Sequence, residues 1–157
     1  MKSFQTIVND IKSVKIQGAK NVALAAAKAI NIVAEDTRKK SKKKTISSIN
    51  RAKQIILKTR PTEPAMRNVL NYLCYDIEKS LNILKELNKR QLFIREHFDE
   101  SKESIAITGA KKVRDRSVVF THCHSSFVVE ILKNAKKEKK RFKVYNTETR
   151  PLFQGRL

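Results

Sequence analysis

Near its carboxyl end the chain carries two short apolar segments separated by one amphipathic segment, an order that restricts the fold more than any other feature. Residues 117–121 read Ser-Val-Val-Phe-Thr, a run typical of a buried strand. Apolar residues then recur at helical spacing from Phe127 to Leu132, and residues 142–147 again favour a strand. A strand, a helix and a strand within about 30 residues predict a βαβ unit with parallel strands.

A single βαβ unit forms only part of a parallel sheet. Two parallel strands and one crossover helix leave the sheet edges open and one face uncovered, whereas parallel sheets are normally covered on both faces. The sequence ends at Leu157, where a next helix is expected to begin. We therefore expect this segment to be the start of a larger domain, which either a complementing chain or a missing carboxyl-terminal half completes.

Ahead of this unit, apolar residues recur at helical spacing. They predict one amphipathic helix near the amino terminus, an Ala-rich one after Gly18 suited to close helix contacts, and a third that ends before Pro61. A longer apolar stripe should break once near Cys74, and another helix should cover part of residues 98–113. Only three Gly and three Pro are present, which agrees with long helices. We therefore expect residues 1–113 to form a helical bundle.

The chain is strongly basic, with 35 Lys and Arg against 15 Asp and Glu and a net charge of +20. Such a field favours RNA, anionic surfaces or phosphorylated small molecules, although Lys is also a common default surface residue. The basic runs at 39–44 and 136–141 lack interleaved aromatic residues, and Trp is absent, so base stacking has little support. We interpret both runs as solvated helix ends, and a basic RNA-binding helical module stays as one alternative.

Two cysteines, Cys74 and Cys123, lie far apart in the sequence, which argues against a disulfide scaffold and favours a reducing cytoplasm. The amino terminus has no secretory pattern, and no stretch approaches the roughly 20 apolar residues of a membrane span. We expect a cytoplasmic protein without a membrane partner and without a cofactor.

Two motifs stand at the ends of the predicted strands. Residues 121–126 read Thr-His-Cys-His-Ser-Ser, and residues 147–156 read Thr-Glu-Thr-Arg-Pro-Leu-Phe-Gln-Gly-Arg. Upstream, residues 16–19 read Ile-Gln-Gly-Ala and residues 59–62 read Thr-Arg-Pro-Thr. In this order they resemble the family that contains the α, β and δ subunits of initiation factor 2B, archaeal ribose-1,5-bisphosphate isomerase and methylthioribose-1-phosphate isomerase.

The resemblance covers essentially the whole chain and implies a fold. Members of this family are roughly twice as long, with a helical amino-terminal domain and a Rossmann-like carboxyl-terminal domain. The expected class is therefore α+β to α/β, with a helical domain at residues 1–113 and the start of a Rossmann-like domain at 114–157. The resemblance also implies assembly as a homo-oligomer or with related subunits, and a link to the translation machinery.

The local chemistry of the motifs predicts an anion-binding site. Cys123 follows a strand and precedes a helix, whose amino terminus favours the thiolate. The backbone amides and hydroxyls of Ser125 and Ser126 could hold a phosphate at the same helix end. Arg60 and Arg150 are candidate bidentate partners for a phosphate or carboxylate.

The resemblance adds roles for some of these residues. It implies that Cys123 moves a proton in aldose–ketose isomerisation, paired with an Asp from the part of the fold that this sequence lacks. It also places Gly18 and Ala19 at the substrate. The alternatives to these roles are structural: Cys123 is a small buried residue, Arg60 only holds a loop, and Gly18 only starts a helix.

A metal site at the first motif is disfavoured. His122 and His124 flank Cys123, but on a strand they would point to the face opposite that of the thiol, and no further ligand pair is present. We expect no metal.

Two functions from different classes compete. One is an initiation factor 2B-like binding protein that senses a phosphorylated sugar or nucleotide; the other is the front half of a ribose-1,5-bisphosphate isomerase. Cys123 favours the isomerase, whereas Gln17, where isomerases typically carry Arg, and the segment after Thr62 favour the initiation-factor-like members. Methylthioribose-1-phosphate isomerase is less favoured because its Gly-Ala-Pro type of loop is missing after Ile16. We expect no turnover by this chain alone.

Overall fold

The computed structural model describes residues 3–156, which fall into two compact units, one ending at His97 and one beginning at Phe98. The first unit contains α1 (Phe4–Lys12), α2 (Ala19–Asp36), α3 (Lys42–Thr59), α4 (Pro64–Cys74), a short 3₁₀ turn (Ile77–Lys79) and the first part of α5 (Ile83–Lys112). The second contains the rest of α5, β1 (Ser117–Thr121), α6 (Ser126–Lys137), β2 (Phe142–Asn146) and a 3₁₀ turn (Gln154–Arg156). Across residues 3–156, no helix has the length and apolar character to cross a membrane.

The helix α2 is the centre of the first unit and packs against α1, α3 and α4. Its buried face is made mainly of small side chains: Val22, Ala23, Ala26, Ala27, Ala29, Ile30 and Ala34. Ala lets neighbouring helices approach closely, and fully buried Ile and Leu residues from those helices fill the remaining space, namely Ile11, Ile49, Ile56, Leu70 and Leu73. The predicted helices and the close contacts of the Ala-rich helix are confirmed.

The predicted break near Cys74 is also confirmed, since α4 ends at that residue. The last carbonyl groups of a helix lack partners within the helix. Here the Arg90 guanidinium donates to the carbonyls of Tyr72, Leu73 and Tyr75, at 3.1, 3.0 and 2.6 Å. The side chain of one helix thus stabilises the end of another.

The helix predicted within residues 98–113 exists, but it is not a separate helix. It is the second half of α5, which runs without interruption from Ile83 to Lys112. No Gly or Pro occurs between Ile83 and Thr108, so nothing in the backbone ends the helix earlier. The division between the two compact units falls inside this helix.

The two strands pair in parallel, as predicted, in a register that aligns Ser117 with Phe142 and Thr121 with Asn146. Within residues 3–156 they form a two-stranded sheet. Burial alternates along β1, and the side chains of Val118 and Phe120 are 65% and 72% exposed. The architecture is thus mostly helical with a small parallel sheet, an α+β arrangement.

Candidate functional site

The carboxyl ends of β1 and β2 lie side by side, and the two motif segments begin there. The Thr121 hydroxyl donates to Asn146 Oδ1 at 2.9 Å, and the Thr147 N–H donates to the Thr121 carbonyl at 3.3 Å. Asn146 Nδ2 donates in turn to the carbonyl of Gly155 at 2.7 Å. Hydrogen bonds therefore hold the two motif segments together.

Cys123 occupies the turn between β1 and α6 with a left-handed backbone, φ 62°. This conformation is costly for a residue with a Cβ, so the surrounding structure must hold it. The Cys123 N–H donates to the hydroxyl oxygen of Thr147 at 3.2 Å. The same oxygen lies 2.7 Å from His122 Nδ1 and 3.3 Å from the Thr149 hydroxyl, which makes Thr147 the centre of the turn's hydrogen bonding.

The expectation that His122 and Cys123 alternate along a strand was wrong. The strand β1 ends at Thr121, and the left-handed Cys123 breaks the alternation, so the pleat of a strand does not decide where these side chains point. No group of three or more His, Cys, Asp or Glu side chains arranged for a metal ion occurs within residues 3–156.

The Cys123 thiol is half-buried and its sulfur lies 3.6 Å from Gln154 Oε1, within the range in which a thiol donates to a carboxamide. The other cysteine has a different environment. Burial raises the pKa of the Cys74 thiol, and Lys53 and Arg90 oppose that change only in part. A raised pKa keeps Cys74 protonated and unreactive near neutral pH.

Ser125 and Ser126 start α6, as predicted. The Ser125 hydroxyl caps the helix by accepting from the Val128 N–H at 3.5 Å, so this hydroxyl already has a partner. The first N–H groups of a helix have no acceptor within the helix, which leaves those of Ser126 and Phe127 to a ligand or solvent. They begin three residues after the Cys123 thiol, at the positive end of the helix dipole.

Arg150 has a partner of its own. Its Nε donates to Glu148 Oε2 at 2.7 Å, and its guanidinium lies 5.7 Å from the centre of the Phe153 ring. Arg156 also donates to Glu148 and lies 4.7 Å from the same ring. Because the Arg150 side chain is 76% exposed and Glu148 has a second cation, Arg150 can turn to a ligand without leaving that carboxylate unpaired.

Gly155 fits against backbone at the base of the second motif. A Cβ at this position would overlap the Thr147 carbonyl oxygen, so no larger residue fits without a shift of the segment. The Gly155 N–H also donates to the Glu148 carbonyl at 3.2 Å. Gly155 therefore lets residues 147–156 fold back against Thr147, whose hydroxyl accepts from the Cys123 N–H.

Gly18, Ala19 and Arg60 belong to the first unit. Gly18 has φ 81° and precedes the first residue of α2, Ala19, so its missing side chain is required by the backbone. Arg60 follows the last residue of α3, and its guanidinium lies 3.9 Å from the Glu63 carboxylate. These contacts give each residue a local role, and the ligand roles predicted for them stay predictions.

The sequence pattern assigned no role to Thr147, Gln154 or Gly155. Their only signal was membership of the second motif, since a contact across 24 or 31 residues leaves no trace in local periodicity.

Comparison with known proteins places the chain in a family. The sequence model of the Initiation factor 2 subunit family matches residues 15–157. A ribose 1,5-bisphosphate isomerase of Pyrococcus furiosus is 33% identical over 96% of this chain and 49% of its own length. A translation initiation factor eIF-2B subunit 2-like protein of Pyrococcus horikoshii is 30% identical over 95% of this chain and 51% of its own length. The chain thus spans about half the length of these relatives.

The fold agrees with a solved structure. The 5-methylthioribose 1-phosphate isomerase of Pyrococcus horikoshii superposes with a TM-score of 0.82 over 98% of this chain and 47% of its own, at 22% identity. This likeness concerns the fold alone. With the family match over residues 15–157 and the 33% identical relative, the chain belongs to the Initiation factor 2 subunit family.

Proposed function

We propose that this chain is an initiation factor 2B-like protein that binds a phosphorylated sugar or nucleotide at the carboxyl ends of β1 and β2. The observation that carries the proposal is the turn at Cys123, where a half-buried thiol stands three residues before the first residue of α6. Ligands of parallel sheets bind beyond the carboxyl ends of the strands, and helix amino termini favour phosphate. The relatives' printed names include both initiation factors and isomerases of a ribose bisphosphate.

In this proposal the amides near Ser125 and Ser126 hold one phosphate, and Arg150 turns from Glu148 to neutralise it. For Gly18, Ala19 and Arg60 of the first unit we also propose ligand contacts. The test is thermal stabilisation by ribose 1,5-bisphosphate, compared between the native chain and the Arg60→Ala and Arg150→Ala variants. We expect either change to abolish the stabilisation, with Arg116→Ala as the control, since Arg116 is exposed and lies outside the motifs. Unchanged stabilisation would return both arginines to structural roles.

The second candidate is a ribose-1,5-bisphosphate isomerase, and the geometry of Cys123 favours it. A thiol with a carboxamide 3.6 Å away and a fixed backbone can give and take a proton at one place on a sugar. The family resemblance implies a second acid–base group, an Asp in the part of the fold that this chain does not span. Cys123→Ser should then leave ligand binding intact and remove isomerisation by a complete protein. Loss of binding in that variant would instead make the cysteine a ligand contact.

We further propose that residues 1–113 form the helical domain and that residues 114–157 begin a Rossmann-like domain. The exposed Val118 and Phe120 support this, because such apolar side chains on a parallel sheet are normally covered. A complementing polypeptide segment would cover them. Co-expression with the second half of a full-length relative should give a complex on size-exclusion chromatography, and Phe120→Lys should weaken it.

The family name describes subunits, which supports assembly into a homo-oligomer or with related chains in the cytoplasm. Light scattering on the native chain tests this, since a monomer at micromolar concentration would contradict self-assembly. Contact with RNA or the translation machinery is a further proposal that rests on the net charge of +20.

A further inference from the structure

The turn between α2 and α3 concentrates positive charge. Residues 38–44 read Arg-Lys-Lys-Ser-Lys-Lys-Lys, and all of them are exposed. Arg38 forms an ion pair with Glu35 at 2.6 Å. Among residues 3–156, no carboxylate pairs with the amino groups of Lys39, Lys40 or Lys42. The charge of this turn is therefore largely uncompensated by the protein itself.

The backbone of the turn is fixed. Thr37 and Thr45 are both buried, and the Thr45 hydroxyl donates to the Thr37 carbonyl at 2.9 Å. The Thr37 hydroxyl donates to the Val33 carbonyl at 2.7 Å, and the Lys40 N–H donates to the Thr37 carbonyl at 2.8 Å. The lysine side chains thus extend from a turn whose backbone is held by hydrogen bonds. This lowers the conformational entropy that is lost when they bind a ligand.

The start of α3 is electrostatically unfavourable without an anion. Ser41 caps the helix, and its first turn contains Lys42, Lys43 and Lys44 with no acidic residue. Cations near a helix amino terminus oppose the helix dipole, and α3 has no acidic side chain along its whole length to offset them. A bound anion would compensate both the lysines and the dipole.

An open pocket of about 530 Å³ lies beside this turn. Its lining includes four cations, Arg38, Lys39, Lys40 and Lys42. It also includes Leu81 and Asn82, which precede α5, and Ile83 and Leu84, which start it. The volume of the pocket falls in the range of small-molecule sites, and its lining combines cationic with apolar side chains.

This pocket lies away from the residues of the first unit that we assign to the sugar phosphate. Gly18 and Ala19 stand at the start of α2, whereas Arg38 follows its end; Arg60 follows the end of α3, whereas Lys42 starts it. Each helix has 18 residues, which at about 1.5 Å per residue separates its ends by about 26 Å. One small ligand cannot reach both places.

We propose that this pocket is a second anion site, which binds a small organic phosphate with its phosphoryl groups on Lys39, Lys40 and Lys42 and its apolar part on Leu81. Multiply charged phosphate suits a cluster of ammonium groups that lacks carboxylate partners. Leu81 is fully exposed and offers the apolar contact. The pocket has no aromatic side chain, so the ligand is held by charge and aliphatic contact and not by ring stacking.

The test is isothermal titration calorimetry with three probes: ATP, inorganic pyrophosphate and a ten-nucleotide uridine RNA. The pocket variant carries Lys39→Gln, Lys40→Gln and Lys42→Gln. The matched control carries Lys111→Gln, Lys112→Gln and Lys136→Gln, which removes the same charge from exposed lysines elsewhere. We expect the pocket variant to weaken ATP binding by about tenfold or more and the control to change it by less than about twofold. Leu81→Asn should weaken ATP binding but leave pyrophosphate binding unchanged.

Several results would overturn the proposal. Equal weakening in the pocket and control variants would mean that the net charge alone attracts ATP. Selective loss of RNA binding with unchanged ATP binding would make the turn a polynucleotide surface. Without ligand, the pocket variant should melt no lower than the native chain, because it removes cations from a helix amino terminus; a lower midpoint would refute the electrostatic argument.

Discussion

Replacement of Thr147 by Val tests whether one hydroxyl holds the Cys123 turn. Val keeps the shape of Thr but has no hydroxyl group. It cannot accept the hydrogen bond that the Cys123 N–H donates to Thr147 Oγ1 at 3.2 Å, nor form the 2.7 Å hydrogen bond between that oxygen and His122 Nδ1. A hydrogen bond of this kind contributes about 1 kcal/mol net, and the left-handed Cys123 backbone costs about as much to maintain. Loss of about 1 kcal/mol lowers the equilibrium ratio of the held turn to the released turn about fivefold.

The assay is the rate of iodoacetamide labelling, read by mass spectrometry of the two cysteine-containing peptides. Cys74 lies in the first unit and serves as an internal standard. In the native chain Cys123 should react much faster than Cys74 at neutral pH. If the held turn is the reactive form, Thr147→Val should lower the Cys123-to-Cys74 rate ratio by up to about fivefold, whereas Thr147→Ser, which keeps the hydroxyl, should preserve it. Equal ratios in the Val and Ser variants would refute the role of the hydroxyl.

Three further predictions concern the supporting structure. Gly155→Ala should cost about 2 kcal/mol because the new methyl group overlaps the Thr147 carbonyl oxygen; urea denaturation that shows no loss would contradict this packing. At pH 9 the native chain should label Cys74 more slowly than urea-unfolded chain does, since burial raises the pKa of that thiol and leaves less thiolate; equal rates would contradict its burial. Arg90→Met should destabilise the chain by about 1.5–3 kcal/mol, because three carbonyls at the end of α4 lose a charged donor, and a urea midpoint equal to the native one would show that solvent replaces it.

Local patterns predicted most of the secondary structure. The β-branched run at Ser117–Thr121 marked β1, and the helix-period stripe of the Ala-rich segment marked α2. The continuity of α5 was missed because apolar spacing alone does not distinguish one long helix from two. The absence of Gly and Pro from Ile83 to Thr108 was the available signal.

The candidate site was predictable only in part. The order of strand, Cys123 and helix follows from the sequence, because a strand end and a helix start are both local events. The support from Thr147 and the contact with Gln154 depend on parallel pairing, which brings together residues 24 and 31 positions apart. The left-handed backbone of Cys123 was equally hidden, since φ above zero is rare for residues other than Gly, Asn and Asp.

The two-stranded sheet has a consequence for amide hydrogen exchange. In each strand alternate N–H groups point toward the partner strand, and the others point outward from an edge. Exchange in β1 and β2 should therefore alternate along the chain between slow and fast residues. A polypeptide that adds a strand to either edge would slow the outward set of that strand first, so the strand that contains the newly protected amides would identify which edge it occupies.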